Sequence, residues 1–151
     1  MNSSEDIKNW IFNILSKNTK EFNNFPICPY AKDAWIENKI LVKDIKYFEL
    51  EAHLIMRENF NKVTILVLDP TTVRPFYLNE LAKRYTDKNF IILIDHPDEE
   101  EKVGDIVLNM GKYALVFIQP RKELELGRKY LLEKGYYNNF DKEYLKGLFS
   151  R

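Results

Sequence analysis

Two short stretches constrain the fold of this 151-residue chain more than anything else in it. Val63-Thr64-Ile65-Leu66-Val67-Leu68 and Phe90-Ile91-Ile92-Leu93-Ile94 are nearly continuous apolar runs. A strand that is apolar at successive positions has no side left for water, so both runs must be central strands covered on two faces. Between them, Phe76 to Tyr85 carries Leu78, Leu81, Ala82 and Tyr85 at helical spacing. Strand, helix, strand in this order predicts a right-handed crossover between parallel, adjacent or near-adjacent strands and puts the chain in the α/β class.

The rest of the chain supplies further elements. Ile7, Trp10, Ile11, Ile14 and Leu15 predict a helix over Ser4 to Lys17. Pro29 suits a first helical position, so a short helix is expected to open there and run to about Glu37, with Cys28 at or near its N-cap. Lys39 to Lys43 reads as a strand. Asp44 to Asn59 reads as a helix with Ile45, Phe48, Ala52, Ile55 and Met56 turned inward. Ile106-Val107-Leu108 and Tyr113 to Ile118, separated by Gly111, predict an antiparallel hairpin on the sheet edge. Arg121 to Lys134 predicts a helix stopped by Gly135, and Asp141 to Phe149 a last one. The charged run Asp98 to Lys102 reads as a solvated loop. With no linker and no repeat, residues 1–151 are expected to form a single α/β domain. Its expected core is a mixed, mostly parallel sheet of four or five strands flanked by helices.

Composition excludes several functions. Acidic and basic residues number 23 each and cancel, so no global basic field draws in phosphates and no nucleic-acid partner is expected. One cysteine rules out an intramolecular disulfide framework and any multi-cysteine metal cluster, and no metal site is predicted. No segment approaches the roughly 18 apolar residues that predict a membrane span, and the N-terminus is polar. A cytoplasmic protein without membrane association is the expectation. No motif names a cofactor, a substrate or an oligomeric state.

Open α/β sheets bind ligands beyond the carboxyl ends of their strands. The three apolar runs lead into Asp69-Pro70, Asp95-His96-Pro97 and Gln119-Pro120. Cys28, Asp69, Asp95, His96 and Gln119 are therefore expected to converge on one edge, with Arg74 and Arg121 opening the neighbouring helices as anion clamps. In that arrangement Cys28 is a thiolate nucleophile or redox centre, its pKa depressed by a helix start and by Lys32. His96 is its general base or acid, and Asp69 or Asp95 orients the imidazole. This predicts a thiol-dependent enzyme acting on an anionic small molecule. The same residues also fit a non-catalytic module that binds a small anion or a protein, or an accessory protein of viral origin.

Two resemblances bear on these residues. Cys28-Pro29-Tyr30-Ala31 is similar to the redox motif of glutaredoxins, with Ala31 in place of the second cysteine, and to the CPFA motif of omega-class glutathione transferases. It implies mixed disulfides between Cys28 and glutathione. Over residues 10–97 the order Trp10, Ile27 to Ala31, Thr64 to Pro70, Phe76 to Leu81 and His96-Pro97 resembles an uncharacterised bacterial family with an LCPFA motif and a downstream HP motif. Tyr30 stands where that family has Phe, and Asp95 where it usually has an aromatic. That resemblance implies only that Cys28, Pro70 and His96 belong to one constellation.

Overall fold

In the computed structural model, which describes residues 2–57 and 59–150, one sheet carries two hydrophobic cores. Strands β1 (Ile40–Asp44), β2 (Val63–Leu68) and β3 (Phe90–Asp95) share a direction, and β6 (Ala114–Pro120) runs against them. The order is β1-β2-β6-β3. The two apolar runs thus point the same way, as expected, near-adjacent with β6 between them; β2 is central, but β3, expected to be central too, lies at the edge of the sheet. The sheet is mixed and not mostly parallel: β1–β2 is its parallel pair, while β2–β6 and β6–β3 are antiparallel.

The expected hairpin over residues 106–118 does not form. β5 (Ile106–Val107) pairs instead with β4 (Lys102–Val103) in a separate two-stranded ribbon. The reason lies in β6 itself. Ala114, Leu115 and Val116 are each no more than 1% exposed, so consecutive residues are buried on opposite faces, and the backbone of β6 is paired on both sides, with β2 and with β3.

The period of two sorts the side chains. Ile65, Val67 and Leu115 face one core, with Ile7 and Trp10 of α1 (Ser3–Trp10), the π-helical turn Ile11–Leu15 that continues it, and the rings of Phe22, Tyr136, Tyr137 and Phe140. Leu66, Leu68, Val116 and Ile118 face the other, against α3 (Leu50–Ile55) and α4 (Pro75–Tyr85). In α4, Pro75 suits the first turn and Lys83 and Arg84 the last. Its Leu78 and Leu81, each 1% exposed, together gain roughly 3–6 kcal/mol by leaving water. Helices α5 (Arg121–Glu133) and α6 (Lys142–Phe149) close the chain, the latter capped by Asp141, whose carboxylate accepts from the N–H groups of Glu143 and Tyr144. Among the described residues no helix is long and apolar enough to cross a membrane.

The segment expected as one helix from Asp44 to Asn59 is broken. Asp44 ends β1, Tyr47–Glu49 forms a 3₁₀ turn, and α3 spans only Leu50–Ile55. The tighter turn advances about 120° per residue against about 100° in an α-helix, which resets the helical phase. Leu50 and Leu54 therefore point inward, while Phe48, Ile55 and Met56 are 78%, 60% and 72% exposed. The inward assignment of those three residues is corrected accordingly.

Candidate functional site

The loops after β2 and β3 meet at the expected carboxyl edge, and their polar groups are spent on each other. Asp69 forms an Asx turn: one carboxylate oxygen accepts from the Thr71 hydroxyl at 2.7 Å and the Thr71 N–H at 2.9 Å. Those bonds hold its pKa below the usual carboxylate value. The Asp69 carbonyl accepts from the Thr72 hydroxyl and N–H, completing the turn into α4.

His96 closes the same loop from β3. Its ring is 1% exposed. Nδ1 accepts from the Asp98 N–H at 3.0 Å, which assigns the proton to Nε2. Nε2–H then donates to the Val73 carbonyl at 2.8 Å, with the Pro70 carbonyl at 3.1 Å. Both ring nitrogens are thus committed to backbone. Pro70 and His96 are in contact, and Cys28 is not part of that contact.

Asp95 is tied in by Asn109, a residue with no distinguishing signal in the sequence. The Asn109 amide donates to an Asp95 carboxylate oxygen at 2.7 Å and to the His96 and Glu99 carbonyls at 3.1 and 3.0 Å, and its own oxygen accepts from the Glu101 N–H. The Met110 N–H donates to the other Asp95 oxygen at 2.9 Å. Burial raises the Asp95 pKa, and these donors offset only part of that shift.

Cys28 lies on the opposite side of the sheet, packed at the edge of the core that holds Trp10 and Tyr136. It does not cap a helix: α2 (Ala31–Ile36) has Tyr30 as its N-cap. Its N–H donates to the Leu15 carbonyl, and the Tyr136 hydroxyl donates to the neighbouring Ile27 carbonyl. Desolvation raises the thiol pKa, and the Tyr30 and Ala31 N–H groups beside the sulfur only partly offset it. The expected depression is thereby reversed in sign. Lys32 does not turn to the sulfur: its ammonium sits 5.5 Å from the centre of the Phe12 ring.

The antiparallel course of β6 separates the remaining candidates. Gln119 pairs with Ile91 near the start of β3, at the amino edge of its neighbours. Arg121, which follows it, donates through Nε to the Asp87 carbonyl at 2.8 Å and through Nη1 to Glu125 at 3.0 Å. Arg74 lies exposed at the head of α4, at the carboxyl edge. A strand of this length spans about 17–20 Å, so Arg74 and Arg121 cannot clamp one small anion. Gln119 and Arg121 are removed from the carboxyl-edge cluster on this ground. Among the described residues no group of three or more His, Cys, Asp or Glu side chains is placed to hold a metal ion.

Two clefts remain. One, of about 490 Å³, opens between α3 and the sheet and is lined by Phe48, His53, Met56, Arg57, Leu66 and Ile118 among others. Here Arg57 is held by the Leu54 carbonyl at 2.6 Å and by Asp87 at 2.7 Å, with its guanidinium against the rings of Tyr85 and Phe90. The second, of about 670 Å³, follows the outer edge of β3. Comparison with family models, curated proteins and solved structures finds no match to this chain.

Proposed function

We propose that this protein is a non-catalytic protein-binding module that contacts its partner through the apolar surface around α3. The observation that carries this reading is the exposure of Phe48, Ile55 and Met56 at 78%, 60% and 72%, on a segment whose Leu50 and Leu54 are fully buried. Phe48 and Met56 border the 490 Å³ cleft, and the Tyr47 ring extends the surface by packing on Tyr77 at 6.0 Å. Large apolar side chains beside a cleft act as anchors, and each one fully covered by a partner gains roughly 1.5–3 kcal/mol. The thiol-dependent reading is the weaker one. A nucleophile needs a base within hydrogen-bond reach, and His96 has both nitrogens occupied on the far side of the sheet from Cys28.

A photocrosslinking amino acid at position 48 tests the proposal in the cells that make the protein. One discrete adduct with a different protein is expected, and Met56→Glu should abolish it. No adduct at position 48, or the same adducts as from exposed Asn13 on α1's π-helical extension, overturns the reading.

A further inference from the structure

β3 is an edge strand, and the direction of its backbone groups follows from its partners. The Phe90 N–H and the Ile92 N–H donate away from β6, to the Asp87 carboxylate and the Thr86 hydroxyl, and the Phe90 carbonyl accepts from the Asp87 N–H. Outward groups in an antiparallel pair recur every second residue, so Ile94 presents its N–H and carbonyl outward as well, and Ile92 its carbonyl. Among the described residues, no group bonds these three. The edge runs along the 670 Å³ cleft, which has Ala82 and Lys83 of α4 on one side, Tyr144 of α6 on the other, and the loop Glu99–Glu101 at its end. The groove therefore has two walls and a floor of unpaired backbone, the form that takes an added strand.

Its charge selects the occupant. Asp95, Glu99, Glu100 and Glu101 line the cleft against Lys83 and Lys102. Lys83 is drawn to Glu80 at 3.5 Å and Lys102 to Glu100 at 3.2 Å, Asp95 is bonded by Asn109 and Met110, and Glu101 accepts from the Tyr144 hydroxyl. Among the described residues Glu99 meets the neutral Asn79 amide and no cation, which leaves its negative charge at the mouth of the groove. We infer that the outer edge of β3 binds an extended, lysine- or arginine-bearing segment of a protein partner by strand addition, its backbone pairing with Ile92 and Ile94 and a cation meeting Glu99. This surface is separate from the one beside α3 and does not depend on it.

The test uses three synthetic peptides with the intact protein: alternating Lys-Val, alternating Glu-Val, and the Lys-Val peptide N-methylated at its central residues. Affinity is read by fluorescence anisotropy and location by amide hydrogen exchange. The Lys-Val peptide should slow exchange of the Ile94 N–H. N-methylation, which removes the backbone donors, should weaken binding about fivefold or more. The Glu-Val peptide should bind about tenfold more weakly at low salt, because like charges oppose it. Glu100→Lys should weaken the Lys-Val peptide about threefold or more, and it alters a side chain that is 57% exposed and whose partner is the surface cation Lys102, so folding is not at stake. An Ile94 amide that exchanges at the same rate with and without peptide overturns the inference. So do equal affinities for the acidic and basic peptides, protection confined to residues 48–56, and pairing of β3 with a second copy of the chain that the peptide does not displace.

Discussion

His96 is the residue at which a structural and a catalytic role make the most different predictions. The structure commits its imidazole to a clamp between the loops after β2 and β3. His96→Ala removes the ring, leaves the buried Val73 carbonyl without its donor, and strands the Asp98 N–H. An unsatisfied buried polar group costs about 1–3 kcal/mol, and the void left by the ring adds to that. The sum is about 3 kcal/mol, which in a domain of this size lowers the melting temperature by about 6–12 °C. Urea unfolding followed by circular dichroism should show the loss as a shifted midpoint at unchanged slope. His96→Gln, whose amide reaches the Nε2 position, should recover about half of the loss by restoring one donor to Val73. A His96→Ala protein that unfolds at the wild-type midpoint would refute the clamp and return the imidazole to the list of groups free to do chemistry.

Four further outcomes follow from particular contacts. Cys28 should resist iodoacetamide at neutral pH and react readily once the chain is unfolded, with a titration midpoint in the folded protein above the ordinary thiol value of 9.0; fast alkylation of the folded protein near pH 7 contradicts this. Asp6, held below the usual carboxylate value by the Lys112 ammonium and the Tyr113 hydroxyl, has a folded pKa lower than its unfolded one, so its stabilisation is present above about pH 4 and is lost as pH falls through the folded value. The melting temperature of Asp6→Asn should accordingly lie below wild type at pH 6 and approach it near pH 2. Gly135→Ala should destabilise by about 1 kcal/mol or more, because the position has φ of +86° and a Cβ there would meet the Asn138 amide at 2.9 Å. Leu54→Ala, at a side chain with no exposure, should cost about 2–5 kcal/mol in chemical denaturation.

Where the sequence was informative, one physical signal dominated the segment. Val63–Leu68 and Phe90–Ile94 are apolar at nearly every position and become β2 and most of β3. Phe76 to Tyr85 has an uninterrupted helical stripe and becomes α4 within a residue. Where two signals compete, the sequence misleads. Asp44 to Asn59 contains one helical stripe through Phe48, Ile55 and Met56 and another through Leu50 and Leu54; the 3₁₀ turn at Tyr47–Glu49 decides between them, and nothing local announces it. The place of β6 is a tertiary outcome. Tyr113 to Ile118 was legible as a strand but was expected at the sheet edge; its internal place and its direction depend on where the β4–β5 ribbon returns the chain. The site residues inherit that error. Asp69, Asp95 and His96 are at the foreseen edge because they follow β2 and β3, whereas Gln119 and Arg121 follow β6 and land at the other end. Asn109 was invisible because asparagine in a polar loop has no pattern, and its role exists only through the Asp95, His96, Glu99 and Glu101 groups that fold around it.

The insertion of β6 also determines which surfaces are left to act. With β6 between β2 and β3, the crevice at which a doubly wound sheet takes its ligand is closed by a strand of opposite direction, and the loops at the carboxyl edge are stitched together through Asn109 and His96. A ligand entering there would have to break buried hydrogen bonds, each leaving polar groups unpaired at about 1–3 kcal/mol. No such cost attaches to the periphery. The outer edge of β3 has backbone groups still to be paired, and the segment around α3 has apolar side chains still to be covered. Binding at either place would exchange water for protein contacts without breaking buried hydrogen bonds. That difference in free energy supports both proposals over a site at the carboxyl ends of the strands.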